Sequence, residues 1–145
     1  MSDTNGSSKL SLTSATANAQ QSELVARVPI YQPNGEPYMG ADGEEAWIGA
    51  LGAESKRYRQ AEHAISRRNQ RNTKPRVDPV DVRRNRIDLA VACVAGWNAE
   101  DENGQQMECN AENAERLFAF EHILRQVEMG IHAHADFFAK SSPTP

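Results

Sequence analysis

The sequence has few of the features that define a disulfide framework, a membrane segment or an export signal. Two cysteines among 145 residues are too few for a disulfide framework, and Cys93 lies in an apolar run, where a thiol acts as a small hydrophobic side chain. No stretch approaches the roughly 18 apolar residues of a membrane helix, and the N-terminus lacks the basic and then apolar layout of a signal peptide. We therefore expect a soluble protein of a reducing cytosol, without membrane contact.

Apolar residues are also scarce. They make up 39% of the chain, below the roughly 45–50% of a typical globular domain. Residues 1–22 consist mainly of Ser, Thr, Asn, Gln, Ala and Gly, a composition that buries too little apolar surface to offset the entropy lost on ordering. The sequence predicts a disordered tail over 1–22, a single domain over 23–139, and a disordered C-terminus over 140–145.

Catalytic and metal-binding patterns are missing as well. The side chains that could be gathered into a zinc site are Cys93, Cys109, His122, His132 and His134. His132 and His134 are two residues apart, which turns them about 200° from each other on a helix, and the cysteines form no Cys-x-x-Cys pair. The carboxylates of 100–102 lack the spacing of a calcium loop, and no phosphate loop or nucleophile elbow is present. We expect no enzyme activity, no cofactor and no metal.

The pattern of the remaining residues predicts an α+β fold that is mainly α-helical. Within 24–51, short apolar runs alternate with the turn signals of 32–37 and 42–43, which predicts a small N-terminal β-hairpin or meander. Three to four packed helices follow, at about 56–70, 79–95 and 110–138. The last of these is one helix or a helix pair, with Gly130 as the expected break.

Helix starts and ends have specific signals. Ser55, Asp78 and Asn110 each precede a periodic segment and can accept a hydrogen bond from an unpaired backbone N–H at a helix start. Pro79 follows Asp78, and proline is favoured at the first helical position. Gly96 is expected to end the second helix.

Charges are sorted along the chain. Between Lys56 and Arg86, eleven bases stand against three acids, a net charge of +8, whereas from Asp88 onward three bases stand against ten acids, a net charge of −7. The basic stretch, with Arg67, Arg68 and Arg71 as candidate contacts, has three interpretations: a surface for an acidic protein or a second copy, a nucleic-acid surface, or a solvated helix face neutralised within the molecule. Nucleic acid is the less favoured partner, because only Tyr58 could stack on a base.

Apolar residues of the C-terminal half are the other candidates for partner binding. Trp97 either closes the core with its indole N–H on a carbonyl or is an exposed anchor, and Trp47 in the hairpin has the same two interpretations. The last helix carries a stripe that is broad enough to be only partly buried. Its members are Leu117, Phe120, Leu124, Val127 and Ile131.

Several short segments between Val80 and Phe138 resemble a known family, with a weaker likeness over Val28–Ser55. They are the apolar helix ending Ala95-Gly96-Trp97, the turn Asp101-Glu-Asn-Gly104, the helix start Glu112-Asn113-Ala114, and the terminal Ala135-Asp-Phe-Phe138. These segments are similar to the small tail assembly chaperones of long-tailed bacteriophages. The strongly basic central helix and the polar N-terminal segment depart from the pattern of that family.

The resemblance implies a non-enzymatic chaperone that acts in the cytoplasm of the infected bacterial host. Such a protein binds the tape measure protein, recruits tail tube protein subunits during tail morphogenesis, and leaves before the tail is finished. Two alternatives stand beside it: a small virion structural protein associated with the head–tail junction or the tail tube, and a basic nucleic-acid-binding protein. Self-association through the opposite charges is a further interaction that the sequence allows.

Overall fold

Six helices and three strands occur in residues 9–71 and 78–139, the part of the chain that the computed structural model describes. The helices are α1 (Leu12–Gln21), α2 (Lys56–Arg71), α3 (Pro79–Cys93), α4 (Ala111–Phe118), α5 (Glu121–His132) and α6 (His134–Ala139), and the strands are β1 (Ala26–Pro29), β2 (Trp47–Ala50) and β3 (Val94–Trp97). The fold is α+β and mainly helical, as predicted. The C-terminus predicted to be disordered, 140–145, lies outside the described residues.

The predicted N-terminal hairpin is confirmed. Strands β1 and β2 pair antiparallel, with Ala26 opposite Ala50 and Pro29 opposite Trp47. The segment between the strands reverses direction twice, and isolated bridges join Tyr31 to Pro37 at the first reversal and Met39 to Glu45 at the second. Along β1 buried and exposed residues alternate, so that one face of the hairpin packs on the helices.

Strand β3 replaces the predicted end of the second helix. Helix α3 ends at Cys93, and the next four residues pair with β2, with Val94 opposite Ala50 and Trp97 opposite Ile48. Between these pairs β3 has one residue more than β2, which is a β-bulge. Gly96 lies in the bulge with a φ of +115°, a conformation that glycine adopts at little cost. The glycine therefore marks a bulge and not a helix end.

The predicted helix starts are confirmed. The hydroxyl of Ser55 accepts a hydrogen bond from the backbone N–H of Tyr58 at 3.3 Å, and the carboxylate of Asp78 accepts one from Val80 at 2.9 Å. At α4 the side-chain oxygen of Asn110 accepts from the third helical N–H at 2.8 Å. Each bond satisfies a donor that has no partner within the helix.

Of the predicted disordered tail over 1–22, residues 1–8 lie outside the described part of the chain, and residues 12–21 depart from the prediction because they form α1. Ser11 and Ser14 make a reciprocal capping box at its start, and the alanines between them and Gln21 favour a helix. No residue of α1 is buried. The low apolar content that suggested a tail therefore describes the lack of burial correctly, whereas the helix is accompanied by local capping, which composition does not reveal.

The predicted helix of 110–138 is divided into α4, α5 and α6, with breaks at 119–120 and at Ala133. Gly130 is not a break, since it lies inside α5 and is buried against β1. A Cβ atom at this position would come within 2.4 Å of Cγ2 of Val28, closer than real side-chain contacts allow. The glycine thus permits a close approach of helix and strand.

The core lies between the sheet and helices α3 to α5. Its largest fully buried side chains include Phe118, Leu124 and Val127. Of helix α3, only Ala90 and Cys93 are buried, and Val80 near its start is exposed. Burial raises the pKa of the Cys93 thiol to about 11, so the thiol stays protonated at neutral pH.

Trp97 is a core residue. It is 4% exposed, and its indole N–H donates to the carbonyl oxygen of Met107 at 2.9 Å. This confirms the interpretation in which the side chain closes the core and satisfies its polar atom on a carbonyl.

Replacing Trp97 with Ala should lower the free energy of unfolding by about 3–5 kcal/mol, the usual cost of deleting a buried aromatic side chain. Urea denaturation followed by circular dichroism measures it. Trp97→Phe is the matched control, because it keeps most of the apolar volume and should cost less. Wild-type stability of Trp97→Ala would contradict the core position.

Candidate functional site

An apolar groove of about 320 Å³ opens between the hairpin and the junction of α4 and α5. Two large apolar side chains at its edge are strongly exposed: Met39 and Phe120, each 58%. The groove is lined by Ile30, Tyr38, Met39, Ala46, Trp47, Ile48, Asn98, Ala99, Glu100, Leu117, Phe120, His122 and Ile123. We refer to these residues as the apolar groove.

Asn98 positions the hairpin side of the groove. Its side-chain oxygen accepts from the backbone N–H of Trp47 at 2.9 Å, and its amide donates to Asp42 and to the carbonyl of Glu45. The backbone carbonyl of Asn98 accepts from Ala41. Asn98 is 2% exposed, and both the oxygen and the nitrogen of its side chain are hydrogen-bonded. It therefore fixes the far end of the hairpin against the segment after β3.

The α4–α5 junction supplies the other side of the groove. Phe120 lies at the N-cap of α5, with φ −90° and ψ 117°, and makes no side-chain capping bond. Phenylalanine is a poor choice for an N-cap, where Asn, Asp, Ser and Thr accept a bond from a free N–H. The helix therefore begins with an exposed aromatic side chain in place of a cap.

Tyr38 and His122 join the two sides. The Tyr38 hydroxyl and Nε2 of His122 lie 2.7 Å apart, and their rings stack with centroids 5.9 Å apart. One turn further along α5, the side-chain amide of Gln126 accepts from the N–H of Tyr31 and donates to its carbonyl. The hairpin is thus bonded to α5 at two successive points.

Ion pairs between α3 and α5 fix the position of the junction. Arg83 and Arg86 contact Glu121, the first residue of α5, at 2.7 and 2.9 Å, and Arg86 also contacts Glu128 at 2.7 Å. Arg83 donates to the carbonyl of Ala119 at 2.9 Å, a group that the end of α4 leaves unpaired. The two arginines lower the pKa of Glu121 to about 2 through these hydrogen bonds.

Three of the five residues predicted as a partner-binding stripe are in the core. Leu124 and Val127 are completely buried and Ile131 is 2% exposed, so none can meet a partner directly in this fold. Leu117 and Phe120 lie in the apolar groove. The stripe divides because the helix breaks at 119–120. Leu117 and Phe120 therefore do not share the face through which α5 packs on the sheet. Trp97, also predicted to contact a partner, is in the core.

The predicted basic residues Arg67, Arg68 and Arg71 all lie on α2 and do not line the groove. Arg68 is paired with Asp88 of α3 at 3.2 Å, which confirms internal neutralisation for this side chain. Arg67 and Arg71 are exposed and form no ion pair with any other described residue. Tyr58, proposed to stack on a base, is 8% exposed and is not available for stacking.

Sequence reasoning missed Tyr38, Met39, Asn98 and His122 as site residues. They are far apart along the chain, and only the pairing of the hairpin arms with the segment after β3 brings them together.

In 9–71 and 78–139, no three His, Cys, Asp or Glu side chains come together as they would around a metal ion. The histidines considered above have other contacts. His134 bonds to the carbonyl of Leu24 at 2.7 Å, and His132 lies edge-on to Tyr58. Within the same residues no helix has the length and apolar character needed to cross a membrane.

Phe120→Asn should raise the melting temperature by a few degrees, because Asn can accept the free N–H at the start of α5, an effect of about 0.5–1 kcal/mol. Little apolar burial is lost, since Phe120 is 58% exposed. Thermal unfolding followed by circular dichroism measures the change. Phe120→Ala is the control, as it removes the same ring without adding a cap. An Asn variant no more stable than the Ala variant would contradict this account of the junction.

Acid should weaken the α3–α5 contact. The pKa of Glu121 lies at about 2 in the folded protein against the usual 4.5, so its contribution to stability is present above pH 4.5 and is lost as the pH falls through 2. The wild type should therefore be more stable than Glu121→Gln at neutral pH, and the difference should disappear towards pH 2. Urea denaturation at a series of pH values measures it. A difference that does not change with pH would assign the effect to packing.

Comparison with models of protein families, with curated proteins and with solved structures finds no match to this chain. Its function has to be inferred from its own residues.

Proposed function

We propose that this protein is a bacteriophage tail assembly chaperone that binds the tape measure protein through the apolar groove. It acts in the cytoplasm of the infected host, is not an enzyme, and recruits tail tube subunits while the client is held. The proposal combines the resemblance of its C-terminal half to that family with the surface that the fold leaves open.

The observation that carries the proposal is the exposure of Met39 and Phe120 at the edge of the groove. A chaperone that keeps a long helical client soluble has to cover apolar side chains of that client with its own apolar surface. Between them lies a groove of about 320 Å³, which has room for large apolar side chains presented by one face of a helix.

The side-chain types of Met39 and Phe120 suit a client with many similar segments. Methionine adapts its shape to different partners through three rotatable bonds, and phenylalanine offers a large contact area with little rotamer freedom to lose. Phe120 also occupies a position where a capping residue would stabilise the protein, and functional residues are expected where a local stability rule is broken.

Three acidic residues lie in or near the hairpin side of the groove. Glu44 and Glu45 are exposed near the end of the hairpin, and Glu100 lines the groove itself. Carboxylates at the edge of an apolar surface limit self-association and favour client segments with lysine or arginine beside their apolar face. The preferred client segment is therefore an amphipathic helix with basic flanks.

Co-expression with the tape measure protein of the same phage tests the proposal. The wild-type chain should keep this client in the soluble fraction, whereas Met39→Gln combined with Phe120→Gln should lose most of that effect, because both apolar contacts at the groove edge are removed. Met129→Gln is the matched control. Met129 is 66% exposed but lies outside the apolar groove, so this variant should behave as wild type.

Circular dichroism should show the same helix content in all three proteins, since the substituted side chains are exposed. A client that stays insoluble with the wild-type chain would reject the proposal. So would equal solubility with wild-type and groove variants. Mass spectrometry of purified virions separates the chaperone from a structural component, because a chaperone leaves before the tail is finished and should be missing from the particle.

A further inference from the structure

The outer face of α2 carries a row of basic side chains that is separate from the apolar groove. At 3.6 residues per turn, the members of this row lie within about 60° of one line along the helix, and all are exposed. The opposite face, with Tyr58 buried and Ile65 partly buried, packs on the protein. The basic row consists of Lys56, Arg59, His63, Arg67 and Arg71.

Carboxylates do not neutralise this row within the described part of the molecule. Arg68, beside the row, pairs with Asp88, and Arg83, Arg84 and Arg86 of α3 all pair with carboxylates. The lysine and three arginines of the basic row form no ion pair with a described residue. The structure therefore divides the basic stretch into arginines that hold the helices together and cations directed at solvent.

Helix stability does not explain the row. Cations at a helix C-terminus are favourable, which accounts for Arg71, but at the N-terminus the helix dipole disfavours them. Lys56 and Arg59 occupy the first turn of α2, which contains no acidic residue. The carboxylate at the N-terminus of α2 comes from outside the helix: Glu23 accepts a hydrogen bond from the backbone N–H of Lys56 at 2.8 Å.

The composition of the row indicates the class of partner. Protein interfaces are depleted of charge at their centre and enriched in aromatic residues, but the basic row has no apolar member. Tyr58 is buried, so the helix has no aromatic platform for the bases of a single strand. From these features we infer that the outer face of α2 binds the phosphate backbone of a nucleic-acid duplex, independently of the apolar groove.

The shape of α2 fits this partner. From Lys56 to Arg71 the row extends about 22 Å at 1.5 Å per residue, and every residue of 66–71 is exposed, although Arg68 on the side of the helix still pairs with Asp88 of α3. The major groove of a duplex is about 12 Å wide and admits an α-helix, so the exposed face of α2 has a size that fits between two phosphate backbones. Arginine side chains along it can bind phosphate oxygens in pairs of hydrogen bonds.

Fluorescence anisotropy with a labelled DNA duplex of about two turns tests the inference on the full chain. With four phosphate contacts the wild-type affinity should fall about 150-fold between 50 and 200 mM salt, from a slope of about −0.9 per contact. The variant Arg59→Gln, Arg67→Gln, Arg71→Gln retains one such contact and should bind more weakly at 50 mM salt, with a fall of only about 3- to 4-fold over the same range.

The charge control replaces three exposed arginines that lie outside α2 with Gln, and circular dichroism checks that the loss of their contacts leaves the fold intact: Arg27 over Trp47, Arg116 with Glu102, and Arg125 with Glu121. This control changes the net charge by the same amount and should keep the wild-type salt dependence. Equal losses in both triple variants, or no binding by the wild type at 50 mM salt, would overturn the inference. Binding to poly-L-glutamate but not to DNA, or salt-sensitive self-association lost only in the α2 variant, would also overturn it, assigning the row to an acidic protein or a second copy.

Discussion

The contact of Arg83 and Arg86 with Glu121 fixes the junction of α4 and α5, which forms one side of the apolar groove. Glu121 is the first residue of α5, and Arg83 also donates to the carbonyl oxygen of Ala119, the residue that follows α4. The chain must therefore break between these helices at a set position relative to α3. Ion pairs that are about 40% exposed contribute little energy, but their geometry determines where Phe120 stands.

The apolar groove and the basic row are the two exposed surfaces with a proposed role. Each contains a departure from local helix preferences. At the start of α5 an aromatic residue stands where a capping side chain is favoured, and at the start of α2 cations stand where the helix dipole disfavours them. Neither departure stabilises the helix start at which it occurs. In a stable protein such costs are expected at positions that serve binding, and the two surfaces differ in chemistry, one apolar and one cationic.

The residues of the apolar groove show the limit of periodicity as a guide to function. Leu117, Phe120, Leu124 and Val127 share one helical spacing, but the break at 119–120 sends the first two to the groove and the last two to the core. Spacing along the chain cannot distinguish these outcomes, since the number of apolar residues that a face can bury depends on what packs against it. The roles of Asn98 and His122 could not be predicted from the sequence either, because their hydrogen-bond partners come from the hairpin.

The sequence by itself determined the local features of this protein. Ser55, Asp78 and Asn110 start helices because their side chains reach N–H groups only two or three residues away, and the hairpin follows from turn residues between its arms. Tertiary structure decided the rest. Gly96 lies in a β-bulge because β2 offers backbone partners to Val94–Trp97, and Gly130 lies inside α5 at a point where only a glycine leaves room for Val28. Arg68 is paired and Arg67 is not, because only Arg68 reaches Asp88. Each of these outcomes depends on a partner distant in sequence, whose position exists only once the chain has folded.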